Sequence, residues 1–360
     1  MAKQRPTHLA PSVLHQHVMK QTSQSMAFDP ARDGKSRKSF TAWQRRLKRK
    51  LVELVGMHNL PMKPADRVPL RVRSVWQRDH KLGIIEKIIF TAEPYADVPA
   101  YVCLPKGSAP PHKFFICVQG HSTGMHNSID VSREDENLPI DVPGERDFAI
   151  GCMKRGIAAL CIEQRAFGER GENVQQARSD HPCQDAVMHA LLLGRTLIGE
   201  RVLDVDRGID YLESRGDVDM KHIGIMGNSG GGTTATYAAA LLPRIAFAMP
   251  SCFVCEHAQS IMSIYHCADN YVPRLHEYAE CADVMGLFAP RPLTVVAGRE
   301  DPIFPIKGVR AAYRRIQKIY EASGAKRNFK LVVGEGGHRF YADDAWPVMM
   351  KLMDDASRGK

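Results

Sequence analysis

The chain contains 360 residues, of which 44% are hydrophobic and 25% are charged, a composition typical of a globular protein with one large core or two smaller ones. No apolar run approaches the roughly 18 residues that a membrane span requires, so we expect no stable membrane insertion. The net charge of +9 lies within residues 1–60, which hold 12 Lys and Arg against 3 Asp and Glu. The remainder is balanced, which argues against a nucleic-acid-binding surface.

The cysteines indicate a reducing compartment. Their number, nine, is odd, and several lie in apolar, strand-like runs where a free thiol behaves as a small hydrophobe. The first residues also lack the apolar core of a secretory signal. We therefore expect a cytoplasmic protein with reduced thiols. The pair Cys252 and Cys255 is only a weak indication of metal or redox chemistry, because no second pair stands at zinc-ligand spacing.

The N-terminal 79 residues form a basic arm and a helix. Residues 1–35 are polar and show no sustained periodicity. This pattern predicts an arm that is either disordered or lies along a protein surface. A helix is predicted over 39–56, with Ser39 as its N-cap. It has one apolar face, formed by Phe40, Trp43, Leu47, Leu51 and Leu54. A basic amphipathic helix can bind a membrane or an acidic partner, but packing on its own domain is favoured here. The segment is also a candidate for contacts between subunits of a homo-oligomer.

From residue 80 to residue 360 the pattern predicts one α/β domain. Short strands come first, and strands then alternate with helices, which is typical of a mostly parallel sheet covered by helices on both faces, with the early strands antiparallel. The strands are predicted at Leu82–Phe90, Pro99–Leu104, Phe114–Gln119, Ile157–Ile162, 222–227, Ile245–Pro250, Leu293–Ala297 and Phe329–Val333. Residues 253–287 interrupt the alternation without a clear period, and we interpret them as a cap inserted over the site.

The most informative motif is Gly-Asn-Ser-Gly-Gly at residues 227–231, between a buried strand and a small-residue helix. This context predicts a sharp turn that holds Ser229 in a strained conformation, with its hydroxyl exposed at the end of the sheet. A serine hydroxyl needs a base, and the base needs an acid that orients it. Loops after two later strands supply Asp301 and His338, and the order Ser, Asp, His is a known one for this triad. Glu300 is a rival acid and His121 a rival base.

The oxyanion of an acyl-transfer reaction needs fixed hydrogen-bond donors. The N–H of Gly230, directly after the serine, is one candidate. The second is expected from the loop after Phe114–Gln119, where His121 follows Gly120. We therefore assign His121 to this loop rather than to the role of base.

The chain resembles the α/β-hydrolase superfamily. The serine turn matches its nucleophile elbow, residues 119–121 its oxyanion loop, residues 298–301 its acid loop and residues 336–338 its histidine loop. The segments 165–170 and 301–305, with a helical segment ahead of the sheet, are similar to the branch that holds dienelactone hydrolase-like proteins and bacterial acetyl xylan esterases. The resemblance implies an α/β-hydrolase fold and a serine hydrolase that requires no metal or cofactor.

These observations predict a serine carboxylesterase that acts on small esters. The modest cap suggests a short acyl group such as acetyl, and the predicted substrate-binding residues are Arg165, His257, Tyr265 and His266. Arg165 and Glu169 have two interpretations, a structural ion pair or contact with substrate. Two other classes stay open, a serine peptidase or amidase with the same triad, and a non-catalytic binding protein on a hydrolase scaffold.

Overall fold

The computed structural model describes residues 9–171 and 183–358. Within these residues one nine-stranded sheet has the order β1-β2-β3-β5-β4-β6-β7-β8-β9. Its strands are β1 (Arg73–His80), β2 (Gly83–Glu93), β3 (Ala96–Pro105), β4 (His112–Val118), β5 (Ala158–Ile162), β6 (Val218–Asn228), β7 (Phe247–Ser251), β8 (Leu293–Gly298) and β9 (Phe329–Gly334).

The sheet has an antiparallel start and a parallel remainder. Strands β1, β2 and β3 form a meander, and β3 pairs antiparallel with β5. From β5 through β4 and β6 to β9 every neighbouring pair is parallel. The predicted α/β-hydrolase architecture is therefore confirmed. Because parallel strands all point the same way, the loops that follow β4, β6, β7, β8 and β9 lie along one edge.

Helices cover both faces of the sheet. The described helices are α1 (Pro11–Gln21), α2 (Pro30–Asp33), α3 (Arg37–Leu54), α4 (Phe148–Met153), α5 (Gln184–Leu192), α6 (Leu197–Arg215), α7 (Gly230–Leu241), α8 (Cys281–Gly286), α9 (Ile306–Ala322) and α10 (Ala342–Ser357). Helices α3, α6, α7, α8 and α9 pack into one core, and α4 and α10 pack into the other. None of the helices in the described part of the chain is long and apolar enough to cross a bilayer.

The central strand β4 shows how the two cores are built. Phe114, Ile116 and Val118 contribute to one core, whereas Phe115 and Cys117 contribute to the other. Successive side chains of a strand point to opposite faces, so a strand that is covered on both faces is a continuous apolar run. This is why the parallel strands could be recognised from composition without alternation.

The basic helix packs on its own domain, as expected. Helix α3 buries four apolar residues of its predicted face, Phe40, Trp43, Leu47 and Leu51. It begins at Arg37 rather than at residue 39, because Ser36 is the N-cap and forms a capping box with Ser39. Residues 11–21, predicted only as part of a polar arm, form helix α1, whose side chains are largely exposed.

Strand β1 was not predicted. It lies at the edge of the sheet, and its side chains are exposed or half-buried, so it lacks the apolar alternation that identifies a strand. The sheet therefore begins at Arg73, before the boundary that we placed at residue 80. The predicted cap lies between β7 and β8 and consists of three short 3-10 turns followed by α8.

Candidate active site

Ser229 stands in the sharp turn between β6 and α7. Its backbone has φ 58° and ψ −122°, a conformation that is strained for a residue with a side chain. Close packing enforces the turn, because a Cβ on Gly231 would lie 2.0 Å from the carbonyl oxygen of Val118. The Ser229 N–H donates to the carbonyl of Ser251 at 3.0 Å. This geometry is that of a nucleophile elbow, in which the hydroxyl projects from the end of the sheet.

The loops after β8 and β9 bring Asp301 and His338 together. Nδ1 of His338 lies 2.8 Å from Oδ2 of Asp301. The other carboxylate oxygen accepts the N–H groups of Ile303 at 2.8 Å and Phe304 at 3.1 Å. Burial alone would raise the pKa of Asp301, but the hydrogen bonds from His338 and from these N–H groups hold it below its usual value. The ionised acid accepts the proton on Nδ1, which leaves Nε2 of His338 as the basic nitrogen.

The end of β7 connects the serine turn to the histidine loop. The carbonyl of Ser251 receives the hydrogen bond from Ser229, and Sγ of the next residue, Cys252, lies 3.2 Å from the carbonyl oxygen of Arg339. Ser229, Asp301 and His338 therefore lie along the same edge of the sheet. Glu300, the rival acid, is exposed.

The predicted oxyanion residues also lie beside the serine. A Cβ on Gly120 would be 3.1 Å from Cβ of Ser229, so the loop after β4 contacts the turn directly. A Cβ on Gly230 would be 2.8 Å from Cε1 of His121, so the imidazole lies against the start of α7. Gly230 is the first residue of this helix, and its N–H has no partner within the helix.

The imidazole of His121 is held by Asp269, which is held in turn by Arg201, and the sequence analysis missed both residues. Its Nε2 lies 2.8 Å from Oδ1 of Asp269, and Nη1 of Arg201 donates to the other oxygen at 2.6 Å. Burial alone would lower the pKa of His121, but the hydrogen bond with Asp269 raises it to about 9. The side chain is therefore a poor general base at neutral pH. Asp269 lies in the cap and Arg201 on α6, and no local pattern links residues so far apart.

Arg165 lies in a buried network of charges. Its guanidinium contacts Glu93 at 2.7 Å and Asp204 at 2.9 Å. Its suggested partner, Glu169, instead pairs with Lys87 at 2.6 Å. These contacts support the structural interpretation of Arg165. Its partners are Glu93 and Asp204, and not Glu169, which was considered because it is near in sequence.

The three predicted binding residues of the cap differ in their surroundings. His257 pairs with Glu280 at 2.7 Å, and Tyr265 is largely exposed. His266 lies near the predicted triad, because Phe304 packs against both its ring, at 5.2 Å, and the ring of His338, at 5.8 Å. Burial lowers the pKa of His266 to about 4, so its imidazole is neutral at physiological pH.

A cavity of about 350 Å³ with a mixed polar and apolar lining adjoins the predicted oxyanion loop. Phe167 borders both this cavity and the ring of His121, since the two ring centroids are 4.8 Å apart. Apolar lining also comes from Ile140 and Ala166. The polar lining residues are Ser122, Thr123, His126, Ser132, Arg133 and Glu134.

Comparison with known proteins identifies the family. A model described as the abhydrolase family matches residues 3–331. The chain belongs to this abhydrolase family. The abhydrolase chain is 25% identical over 294 residues to "Putative hydrolase YtaP" of Bacillus subtilis (strain 168), a match that covers 81% of this chain and 92% of that protein.

Solved structures share the fold of this abhydrolase. A "putative acetyl xylan esterase" from Bacteroides fragilis NCTC 9343 matches with a TM-score of 0.74 and 16% identity over 93% of this chain and 84% of that chain. A glucuronoyl esterase from Solibacter usitatus matches with a TM-score of 0.63 and 15% identity over 92% of this chain and 97% of that chain. The predicted resemblance is thus confirmed, for the superfamily by the family match and for the acetyl xylan esterase branch at the level of the fold.

Proposed function

We propose that this abhydrolase is a serine carboxylesterase with Ser229, His338 and Asp301 as its catalytic triad. The observation that carries the proposal is the hydrogen bond between His338 and Asp301, at the same sheet edge as a serine held in a nucleophile elbow. A serine in this turn is exposed to substrate, and a histidine oriented by a buried carboxylate can deprotonate it.

The proposed reaction proceeds through an acyl-enzyme. Nε2 of His338 takes the proton from the Ser229 hydroxyl as its oxygen attacks the ester carbonyl carbon. The N–H groups of Gly230 and His121 stabilise the oxyanion, and donors of this kind each contribute roughly 3 kcal/mol in the transition state. The imidazolium then protonates the leaving alkoxide. A water molecule, deprotonated by the same imidazole, then attacks the acyl carbon. The bond between that carbon and the Ser229 oxygen breaks, the imidazolium returns its proton to this oxygen, and the acid leaves. Every proton is transferred by His338, so the reaction needs no cofactor.

The substrate is proposed to be a small ester, with a short acyl group such as acetyl. The names of the structural relatives, acetyl xylan esterase and glucuronoyl esterase, support an ester of a carbohydrate. The polar side chains that line part of the cavity beside the oxyanion loop, among them Ser122 and Thr123, are consistent with a hydroxylated leaving group. His266 is the cap residue best placed to contact it, because it shares Phe304 with the triad histidine.

Two further properties are proposed, the location of the protein and its assembly. The location is cytoplasmic, in keeping with nine cysteines that form no disulfide. The N-terminal segment forms contacts between subunits of a homo-oligomer, in keeping with the exposed apolar side chains of Leu14 and Val18 on α1.

The proposed activity is tested with p-nitrophenyl acetate and a peptidyl anilide, for the wild type and for Ser229→Ala. We expect turnover of the ester alone, and its loss in the variant. The exposed Ser214 provides the control, since Ser214→Ala should keep full activity. Cleavage of the anilide in preference to the ester would support a peptidase, and no turnover of either would support a binding protein. Ester turnover that survives Ser229→Ala would refute the mechanism.

A further inference from the structure

Two cysteines lie beside the His121–Asp269 pair. Cys183 precedes α5 and is buried, and Cys267 lies in the cap and is half-buried. The thiol of Cys183 lies close to the sulfur of Cys267 and to the imidazole of His121. The ligand atoms of these two cysteines, His121 and Asp269 all lie within 4.8 Å of one another. Three distant parts of the chain therefore place two sulfurs, a nitrogen and a carboxylate around one point.

We propose that His121, Cys183 and Cys267 bind a zinc ion, with Asp269 either as the fourth ligand or as the carboxylate that orients His121. Thiolate and imidazole are the ligands that structural zinc sites use, commonly in tetrahedral geometry. A histidine that binds a metal usually donates its other N–H to a carboxylate, and the hydrogen bond between His121 and Asp269 has this form.

The distances require only a small adjustment. Zinc lies about 2.3 Å from sulfur and about 2.0 Å from nitrogen, so tetrahedral ligands are roughly 3.3 to 3.8 Å apart. The four ligand atoms lie within 4.8 Å of one another, which exceeds the upper end of this range by about 1 Å. The side chains can therefore close around an ion by rotation, without a change in the fold.

The charges favour a divalent ion. Asp269 is fully buried and pairs with the equally buried Arg201, so these two charges cancel. On binding, zinc displaces the protons of both thiols and one proton of the His121 imidazolium. Two thiolates then neutralise the two positive charges of the ion, and the imidazole binds in its neutral form. The occupied pocket has no net charge, which is the condition under which buried charges are tolerated. The half-buried side chains of His121 and Cys267 give the ion access from solvent.

The ion would connect the cap to the body of the domain. Cys267 belongs to the cap, Cys183 to the start of α5 and His121 to the loop after β4. The bound zinc is thus structural and takes no part in the acyl transfer described above. Because binding is measured without substrate, its outcome is independent of the proposed esterase activity.

The experiment measures zinc in the full-length protein. Protein is reduced, treated with a chelator, incubated with Zn²⁺ and dialysed, and its zinc content is then determined by mass spectrometry. We expect about one ion per chain in the wild type. We expect a loss of zinc in Cys183→Ala, Cys267→Ala and His121→Ala, and normal zinc in Cys152→Ala, which removes a thiol buried elsewhere, on α4.

Thermal unfolding supplies a second readout. Chelation of zinc should lower the Tm of the wild type and leave the Tm of Cys267→Ala unchanged, because only the wild type gains stability from the ion. Wild-type protein that retains no zinc after reconstitution would overturn the proposal. So would zinc binding that persists in all three variants, or a Cys183–Cys267 disulfide in freshly purified protein with no binding after its reduction.

Discussion

Asp301 accepts a hydrogen bond from Nδ1 of His338 across 2.8 Å, and this contact joins the loops after β8 and β9 at the sheet edge where Ser229 stands. Two backbone N–H groups bond the other oxygen of the carboxylate, so its orientation is fixed before substrate binds. The pair therefore sets both the tautomer and the direction of the proposed base.

The first prediction concerns this pair. An amide in place of the carboxylate favours the wrong tautomer of the imidazole, so Asp301→Asn should lower kcat on p-nitrophenyl acetate by on the order of 10³- to 10⁴-fold with little change in KM. Glu300→Gln is the matched control, because it neutralises the adjacent, exposed acid. Equal losses in both variants, or a larger loss in Glu300→Gln, would remove Asp301 from the triad.

The residues of the proposed triad could be found because each stands in a local pattern with a physical cause. Ser229 lies in a glycine-rich turn after an apolar run, and Asp301 and His338 follow apolar strands that must end at the same edge of a parallel sheet. The core strands could be predicted in the same way, because a strand that is buried on both faces, such as β4, is a continuous apolar run in the sequence.

What could not be predicted depends on contacts between distant segments. Asp269 and Arg201 are 68 residues apart, and no sequence pattern around either residue indicates that their side chains pair. Arg165 was compared with Glu169 only because they are neighbours in sequence, whereas folding places Glu93 and Asp204 around it. The edge strand β1 was missed because its exposed, polar surface does not require apolar alternation.

A second prediction separates the two interpretations of Arg165. Asp204 accepts hydrogen bonds from Arg165 and from Arg170 and is almost fully buried. Asp204→Asn removes the carboxylate that pairs with the buried Arg170 and one of the carboxylates that pair with Arg165, so the free energy of unfolding should fall by about 3 to 5 kcal/mol. KM for the ester, measured where the variant is folded, should stay unchanged. Urea unfolding and steady-state kinetics test this, with the exposed Asp135→Asn as control. An increase in KM at unchanged stability would instead place Arg165 at the substrate.

A third prediction concerns the pH dependence of stability. Glu163 is buried, and burial raises its pKa to about 7 from 4.5, although its oxygens accept N–H groups of Met125 and Glu169. The folded state therefore binds the proton more tightly than the unfolded state. The stability that this proton provides is complete below about pH 4.5 and is lost as the pH rises through 7.

Glu163→Gln mimics the protonated acid and should not show this loss. Between pH 5 and pH 8, the difference in unfolding free energy should move in favour of the variant by about 2 to 3 kcal/mol. Urea titrations at both pH values measure it, and Glu213→Gln, at an exposed position, should track the wild type. A difference between Glu163→Gln and wild type that is independent of pH would show that Glu163 is already ionised in the fold.

A fourth prediction tests the role of the N-terminal segment. Leu14 and Val18 lie one turn apart on α1 and are 60% and 51% exposed. If they pack against a second copy, Leu14→Lys with Val18→Lys should shift the protein to a smaller species in gel filtration. Ser12→Lys with Gln16→Lys adds the same charge to the opposite side of the helix and should leave the elution volume unchanged. A wild type that elutes as a monomer would contradict the proposed contact.

A fifth prediction uses the close approach of Gly120 to the serine turn. A Cβ at residue 120 would lie 2.8 Å from the carbonyl oxygen of Asn228 and 3.1 Å from Cβ of Ser229, so Gly120→Ala must displace either the loop or the nucleophile. Because a displacement of about 1 Å can cost 10²-fold in rate, kcat should fall by at least about that factor while the circular dichroism spectrum is retained. Gly151→Ala on α4 is the control, since the nearest atom to its new Cβ is 3.6 Å away. Full activity in Gly120→Ala would mean that the loop after β4 can move without disturbing the oxyanion site, and the assignment of His121 to that site would then be wrong.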